Sequence, residues 1–377
     1  MNNLRILAVG LASSTAAILF IAARREASPA KTFASAERKV DQVEKNIKVL
    51  NGTPQAQLFP TMRFMAASLG VSCEHCHVAK DGNFDFASDE KESKRVARDM
   101  IKMTMVANKT TFSGKPEVSC FTCHRGQVAP QNLPGLPVPH LEAAGGPTAP
   151  SPSPTPALPP ADAIFNKYFV AIGADAAAGK IKSCVVKGSV VNASGSTGTY
   201  EAAQVIPGKV YEMIITSRGT RARVINNDRA WEKTPYEIHP LEGLALKDAS
   251  LALPLSVTIG LRGEYVKAET TKMDQINDHQ TYIVTATRTD GKRERLYFDA
   301  ENGLLLRRIS NTNTIIGVIQ EETDYEDYRE IEGVKLPTTI RVATVDSLNP
   351  TSTRKLESIE LNVPIDDAKF TPPTADK

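Results

Sequence analysis

The sequence is poor in several residue types. Of its 377 residues one is tryptophan, six are histidine and five are cysteine. Five cysteines cannot staple a chain of this length, which excludes a disulfide scaffold. The formal net charge is only +2, and a dedicated nucleic-acid binder would carry a marked basic excess. Beyond residue 23 there is no apolar run long enough to span a bilayer. A chain this long usually folds as more than one domain.

What is present is unevenly placed. The chain starts Met-Asn-Asn-Leu-Arg, continues with an apolar run from Ile6 to Ala23, and then has Arg24-Arg25. A positive start followed by an apolar stretch is the pattern of export. Ser28-Pro29-Ala30 suits a cleavage site, and Arg24-Arg25 equally suits the flank of an uncleaved anchor. Residues 1–30 are therefore expected to be a signal peptide or an N-terminal membrane anchor. The mature chain would lie in the periplasm, soluble or held at the inner membrane. Residues 130–160 hold 11 of the 24 prolines; such a stretch favours extended polyproline II and reads as a linker. It divides residues 31–129, with helical patterning and four cysteines, from residues 161–377, with one helix near Ala161 to Gly173 and then many short alternating runs. Strands are expected at Thr281–Arg288 and Glu294–Asp299 around a Thr-Asp-Gly turn, then at Leu304–Ile309, Thr314–Gln320, Val334–Val345 and Lys355–Asn362. The fold class expected is multidomain: a mainly α domain, then an α+β domain built on antiparallel strands.

The cysteines carry the chemistry. Cys73-Glu74-His75-Cys76-His77 and Cys120-Phe121-Thr122-Cys123-His124 are both C-x-x-C-H, the attachment signature of c-type haem. Two thiols at this spacing reach the two vinyl groups of one porphyrin, and the adjacent histidine stands under the iron as an axial ligand. A zinc ribbon would place its paired knuckles closer together, and a thioredoxin-like motif needs a strand before it and a helix after it. Neither alternative accounts for a histidine after both pairs. His75 reads as surface filler, and Cys184 reads as a buried thiol on a strand.

The second axial position could be filled by methionine, by histidine or by nothing. Five of the seven methionines after the initiator lie between positions 62 and 105. Pro60 suits the first turn of a helix and Gly70 its end, with Met62, Met65 and Leu69 on one face. Asp89 and Glu92 suggest a capping box for a second helix, with an apolar face of Val96, Met100, Met103 and Ala107. The order of Met-x-x-Met helix, loop and C-x-x-C-H thus occurs twice, an internal repeat with one haem per unit. The recurrence favours methionine ligation over plain core filling. Histidine is the weaker candidate, because only His140 in the proline-rich stretch remains.

The runs from Met62 to Cys73, from Ala97 to Met105 and from Val118 to Gly126 resemble the cytochrome c subunit of photosynthetic reaction centres, over about residues 45–130. The resemblance implies that the first methionine of each Met-x-x-Met is the sixth ligand: Met62 for the haem on His77 and Met100 for the haem on His124. Met65 and Met103 would pack against the porphyrins. That subunit binds four haems, whereas this chain has two C-x-x-C-H motifs, and the segment Asn108 to Ser119 has no histidine. The implied activity is electron transfer between redox partner proteins through two covalent haem c groups, with no catalytic residue.

The second domain resembles the half-barrel domains related to outer-membrane lipoprotein carriers. The segments that carry this are Ile164 to Gly173, Asp327 to Pro337, Leu361 to Pro364 and Phe370 to Pro373. Such a fold implies a curved antiparallel sheet, helices in its mouth and room for an apolar ligand. His239, His279 and Trp231 show no ligand or triad spacing. Two other functions compete with the carrier. A dihaem peroxidase needs one five-coordinate iron, and a redox-sensing envelope factor needs a bound lipid.

Overall fold

A computed structural model describes residues 38–130 and 158–374, with short interruptions at 81–82, 175–179, 218, 236–237, several positions between 251 and 262, and 346–350. The expected export segment and most of the proline-rich linker, including His140, lie outside the described residues. Among the described residues no helix is long and apolar enough to cross a membrane.

The first part of the described chain is helical. A short helix α1 (Val40–Val43) precedes α2 (Leu58–Leu69), α3 (Glu92–Thr111) and α4 (Cys120–His124). Pro60 lies in the first turn of α2, and Gly70 caps its end with φ +68°, the left-handed conformation that favours glycine. Between α2 and α3 sits a small hairpin of β1 (Val78–Lys80) and β2 (Asn83–Asp85). The capping box expected at Asp89 does not form. Lys91 occupies the N-cap of α3, and Asp89 faces a cluster of cations instead. Helix α3 also runs past Asn108 to Thr111, so the connection to the second cysteine pair is shorter than the sequence suggested.

The remainder is one antiparallel sheet of 13 strands. Strands β3 (Ser183–Asn192), β4 (Thr197–Val205), β5 (Lys209–Thr216), β6 (Gly219–Asn226), β7 (Arg229–Lys233) and β8 (Ile238–Leu241) meander to one edge. Strands β9 (Tyr265–Ile276), β10 (His279–Arg288), β11 (Arg293–Asp299), β12 (Leu305–Thr314), β13 (Gly317–Ile331), β14 (Val334–Ala343) and β15 (Thr351–Leu361) meander back, and β15 pairs with β3. Twisted open sheets wider than about ten strands normally curl. The inner face is filled by the chain itself. Tyr168 and Phe169 of α5 (Ala161–Ala171) are buried with Tyr200, Phe298, Leu336 and Ile340, and Ala249 of α6 (Gly243–Ser250) joins the same core. The expected strand over Thr314–Gln320 is divided instead. Thr314 ends β12, Ile315 and Ile316 make the turn, and Gly317 opens β13.

The two parts are packed together. The tip of the β12–β13 hairpin lies against α2, where Ile316 is buried with Leu50, Phe64 and Ile101. Arg38 and Glu242 add an ion pair at 3.8 Å.

Candidate functional site

Helix α3 holds both cysteine motifs. At its start the Lys91 ammonium donates to the Glu74 carbonyl, and the Ser93 hydroxyl donates to the His75 carbonyl at 2.5 Å. Toward its end Asn108 makes a reciprocal pair with Val118. Its amide nitrogen donates to the Val118 carbonyl at 2.7 Å, and its oxygen accepts the Val118 N–H at 2.9 Å. Asn108 is buried and Val118 half-buried, and the pair fixes the approach to Cys120. Sequence reasoning took Asn108 only as the start of a loop. A buried asparagine on a helix carries no motif that would have distinguished it.

The two units also interlock. The Gly126 N–H, just after the second motif, donates to the Ser68 carbonyl of α2 at 2.9 Å. A Cβ at Gly70 would collide with the Gly126 carbonyl oxygen. Glycine at position 70 therefore serves both the turn and the close approach of the second motif.

The first motif forms a tight turn, Cys73–His75, and the second forms the short helix α4. Phe86 meets the His77 ring edge-on, with centroids 5.1 Å apart, and Phe84 stacks on Phe86. Burial, assisted by the Lys94 charge, pushes the His77 pKa below the ordinary histidine value, so the neutral ring that binds metal is favoured. The His124 Nδ1–H donates to the Gln127 carbonyl at 3.0 Å. A carbonyl can only accept, so Nδ1 carries a proton, and in the neutral ring Nε2 is the nitrogen with the lone pair. Burial raises the pKa of the Cys76 and Cys120 thiols.

All eight residues singled out in the sequence line one cavity of about 1430 Å³: Met62, Cys73, Cys76, His77, Met100, Cys120, Cys123 and His124. Met65 and Met103 line it too. The apolar face of α3 does not pack into protein. Val96, Met100 and Met103 are exposed and turn to the cavity, while Ile101, Thr104 and Asn108 form the buried face. A flat apolar group such as a porphyrin fits between two such methionine faces, with thiols for attachment and an imidazole beside each pair. Among the described residues no three His, Cys, Asp or Glu side chains are grouped to hold a metal ion; a zinc site requires about four donors around one point.

The cavity extends to the sheet, whose polar wall includes Arg308, Tyr325, Arg354 and Arg223. These cations are paired. Arg308 makes two hydrogen bonds to Glu294, at 3.0 and 2.6 Å, and Arg354 and Arg223 both donate to Glu212. Burial pushes the Glu294 carboxyl up, but Arg308, Tyr265 and Arg288 more than reverse this and hold it below its usual value. Outside the cysteine motifs, His279 pairs with Asp299 at 2.7 Å, and Trp231 packs near Phe370. Cys184 is buried on β3, where burial pushes its thiol up to about 12. His239 lies on the cavity wall, 3.4 Å from Glu232.

Comparison with known proteins agrees with the resemblance read from the motifs. Residues 9–145 match the family model of the photosynthetic reaction centre cytochrome C subunit. Cytochrome c-554 of Chloroflexus aurantiacus is 35% identical over 97 residues, which is 24% of this chain and 22% of that protein. The photosynthetic reaction center cytochrome c subunit of Rubrivivax gelatinosus is 31% identical over 99 residues, 25% of this chain and 26% of that protein. The chain thus spans about a quarter of the length of the curated relatives it matches. Among solved structures, a DUF1329 family protein from Desulfovibrio piger is similar over 55% of this chain and 97% of its own, with 14% identity and a TM-score of 0.38. A LolA superfamily protein from Nitrosomonas europaea is similar over 57% and 98%, with 16% identity and a TM-score of 0.38.

Proposed function

From the likeness of its first third to the reaction-centre cytochrome family, we propose that this chain is a periplasmic c-type cytochrome that carries electrons through two covalently attached haems. The observation that carries the reading is the convergence of both C-x-x-C-H motifs and both methionine faces on one cavity. Cys73 and Cys76 hold one haem c, and Cys120 and Cys123 hold the other. His77 and His124 would each supply a ring nitrogen to an iron, and Met62 and Met100 a sulfur. When bound, the haem supplies one-electron chemistry at iron, and thioether ligation favours the reduced state.

The protein's residues hold and tune that group. Nδ1–H of His124, fixed by the Gln127 carbonyl, orients the ring and raises its basicity as a ligand. The methionine faces would line the porphyrin's pocket, and α3 ties the two attachment sites together through Ser93 and Asn108. An iron held by both a histidine and a methionine would serve transfer between redox partners. Residues 31–129 carry 15 Lys and Arg against 11 Asp and Glu. The haem propionates offset that excess, so charge gives the docking face little direction.

A haem assay with a spectroscopic redox titration of the full-length protein tests this. Two covalent haems per chain are expected, both low-spin in the ferric state. Met62→Ala and Met100→Ala should each lower the potential of one haem and leave the other in place. One haem or none would overturn this reading, and a high-spin iron that rapidly reduces peroxide would replace it with the enzyme alternative.

A further inference from the structure

The turn between β12 and β13 is unusual in composition. Two-residue hairpin loops favour Asn, Asp and Gly, because they face water and often need positive φ. Here both loop residues are isoleucine. The Thr314 hydroxyl fastens the turn by donating to the Gly317 carbonyl at 2.9 Å. Ile316 has 0% exposure despite sitting at the tip of a hairpin. Its cover comes from the helical part: Phe64 of α2, Ile101 of α3, and Leu50.

The same cluster carries residues of the candidate site. Met62, Met65 and Cys120 pack against it, as do Ile315 and Ile319 from the sheet. Gly317 lies against the tip of the Phe64 ring, and a Cβ there would collide with it. Phe64 is two residues from Met62 on the same helix. A helix is a rigid cylinder with about 100° between successive side chains, following from 3.6 residues per turn. Seating Phe64 therefore sets the direction in which Met62 points.

We propose that the β12–β13 hairpin is a positioning element of the haem site: Ile316 and Gly317 seat Phe64 and so aim Met62 at the iron carried by His77. The inference rests on the methionine-ligation reading above. It makes the sheet part of the redox site and not an appended passenger. Asn311, Thr312 and Ile319 of the hairpin line the same cavity, whereas Ile316 and Gly317 are positioning residues that act through α2.

The test uses full-length holoprotein with Gly317→Ala, Ile316→Ala and Ile316→Val. Gly317→Ala forces the ring from its seat, and Ile316→Ala empties the seat. Both should retain two covalent haems. Both should lose, in part or in full, the weak far-red absorption of one thioether-ligated ferric haem, and lower that haem's potential. Ile316→Val should restore both signals. Leu336→Ala, in the sheet core away from the hairpin, controls for simple loss of stability and should change neither. Alanine variants that fold with an unchanged spectrum and unchanged potentials would overturn the inference. So would a Leu336→Ala variant that shows the same spectral loss. Met62→Ala is run beside them. If it shifts one haem and the hairpin variants do not, only the positioning role fails. If it shifts neither, ligation by Met62 fails and the positioning role falls with it.

Discussion

Asn108 and Asp89 show how single residues hold the site without joining its chemistry. Replacing Asn108 by alanine leaves the Val118 N–H and carbonyl without their buried partner. An unpaired buried polar group costs about 1–3 kcal/mol. Asn108→Ala should lower unfolding stability by that amount in urea titrations, with the spectrum of the second haem disturbed first on heating. Asp89 accepts hydrogen bonds from Lys48 at 2.5 Å and from Asn46 at 2.9 Å, and pairs with Arg98 at 2.8 Å. These partners, Lys48 first, hold its carboxyl well below the usual carboxylate range. A depressed pKa means that the unfolded chain takes up the proton first. The contribution is therefore whole above the ordinary Asp value of about 3.9 and fades as pH falls through and below it. Stability measured against pH in that acid range should show a steeper loss for the natural chain than for Asp89→Asn.

At the scale of elements, the contact between α2 and the second motif depends on two facing backbones. Gly70 combines a φ of +68° with a missing Cβ that would strike Gly126. Alanine at a positive-φ site destabilises by more than about 1 kcal/mol, and here a steric clash is added. Gly70→Ala should lower the melting temperature and disturb the haem on His124 more than the haem on His77, as read by redox titration. In the sheet, Glu294 is fully buried between Arg308 and Arg288. Removing one partner of a buried ion pair leaves the other charge uncompensated, at roughly 3–5 kcal/mol. Glu294→Gln should show a loss of that size in urea unfolding, whereas the exposed pair of Arg95 and Glu92 should cost little when broken.

For the molecule as a whole, the helical part is not closed by its own residues. Ile316 from the sheet fills a place between Phe64, Ile101 and Leu50. A fragment ending within the proline-rich stretch would expose that apolar patch. Such a fragment should exchange its amide hydrogens in α2 faster than the full chain does, and equal protection would show that the helices need no partner. Much of this architecture was legible in advance. The β10–β11 hairpin was readable because its residues alternate across a polar Thr-Asp-Gly turn, and α5 because it follows Pro159-Pro160. The edge of the sheet from β4 to β8 was not read, because its strands have mixed burial and weak alternation. Thr314–Gln320 read as one strand because Ile315 and Ile316 are apolar. The tip is apolar because it is buried against a helix more than 200 positions away in sequence, which no local pattern records.

The sequence by itself determined the chemistry of the site. Thiol spacing, an adjacent histidine and a methionine three residues from the next are covalent and local properties, and they survive any arrangement of the rest. The tertiary structure alone decided what surrounds them. Asp89 left its expected cap for Lys48, Lys94 and Arg98 because long-range charge outweighed a weak local preference. The methionine face of α3 stayed exposed at a cavity because Ile101, Thr104 and Asn108 became the buried residues of the helix. The sheet entered the site through Ile316 because buried apolar contact depends on proximity in space and is indifferent to separation along the chain.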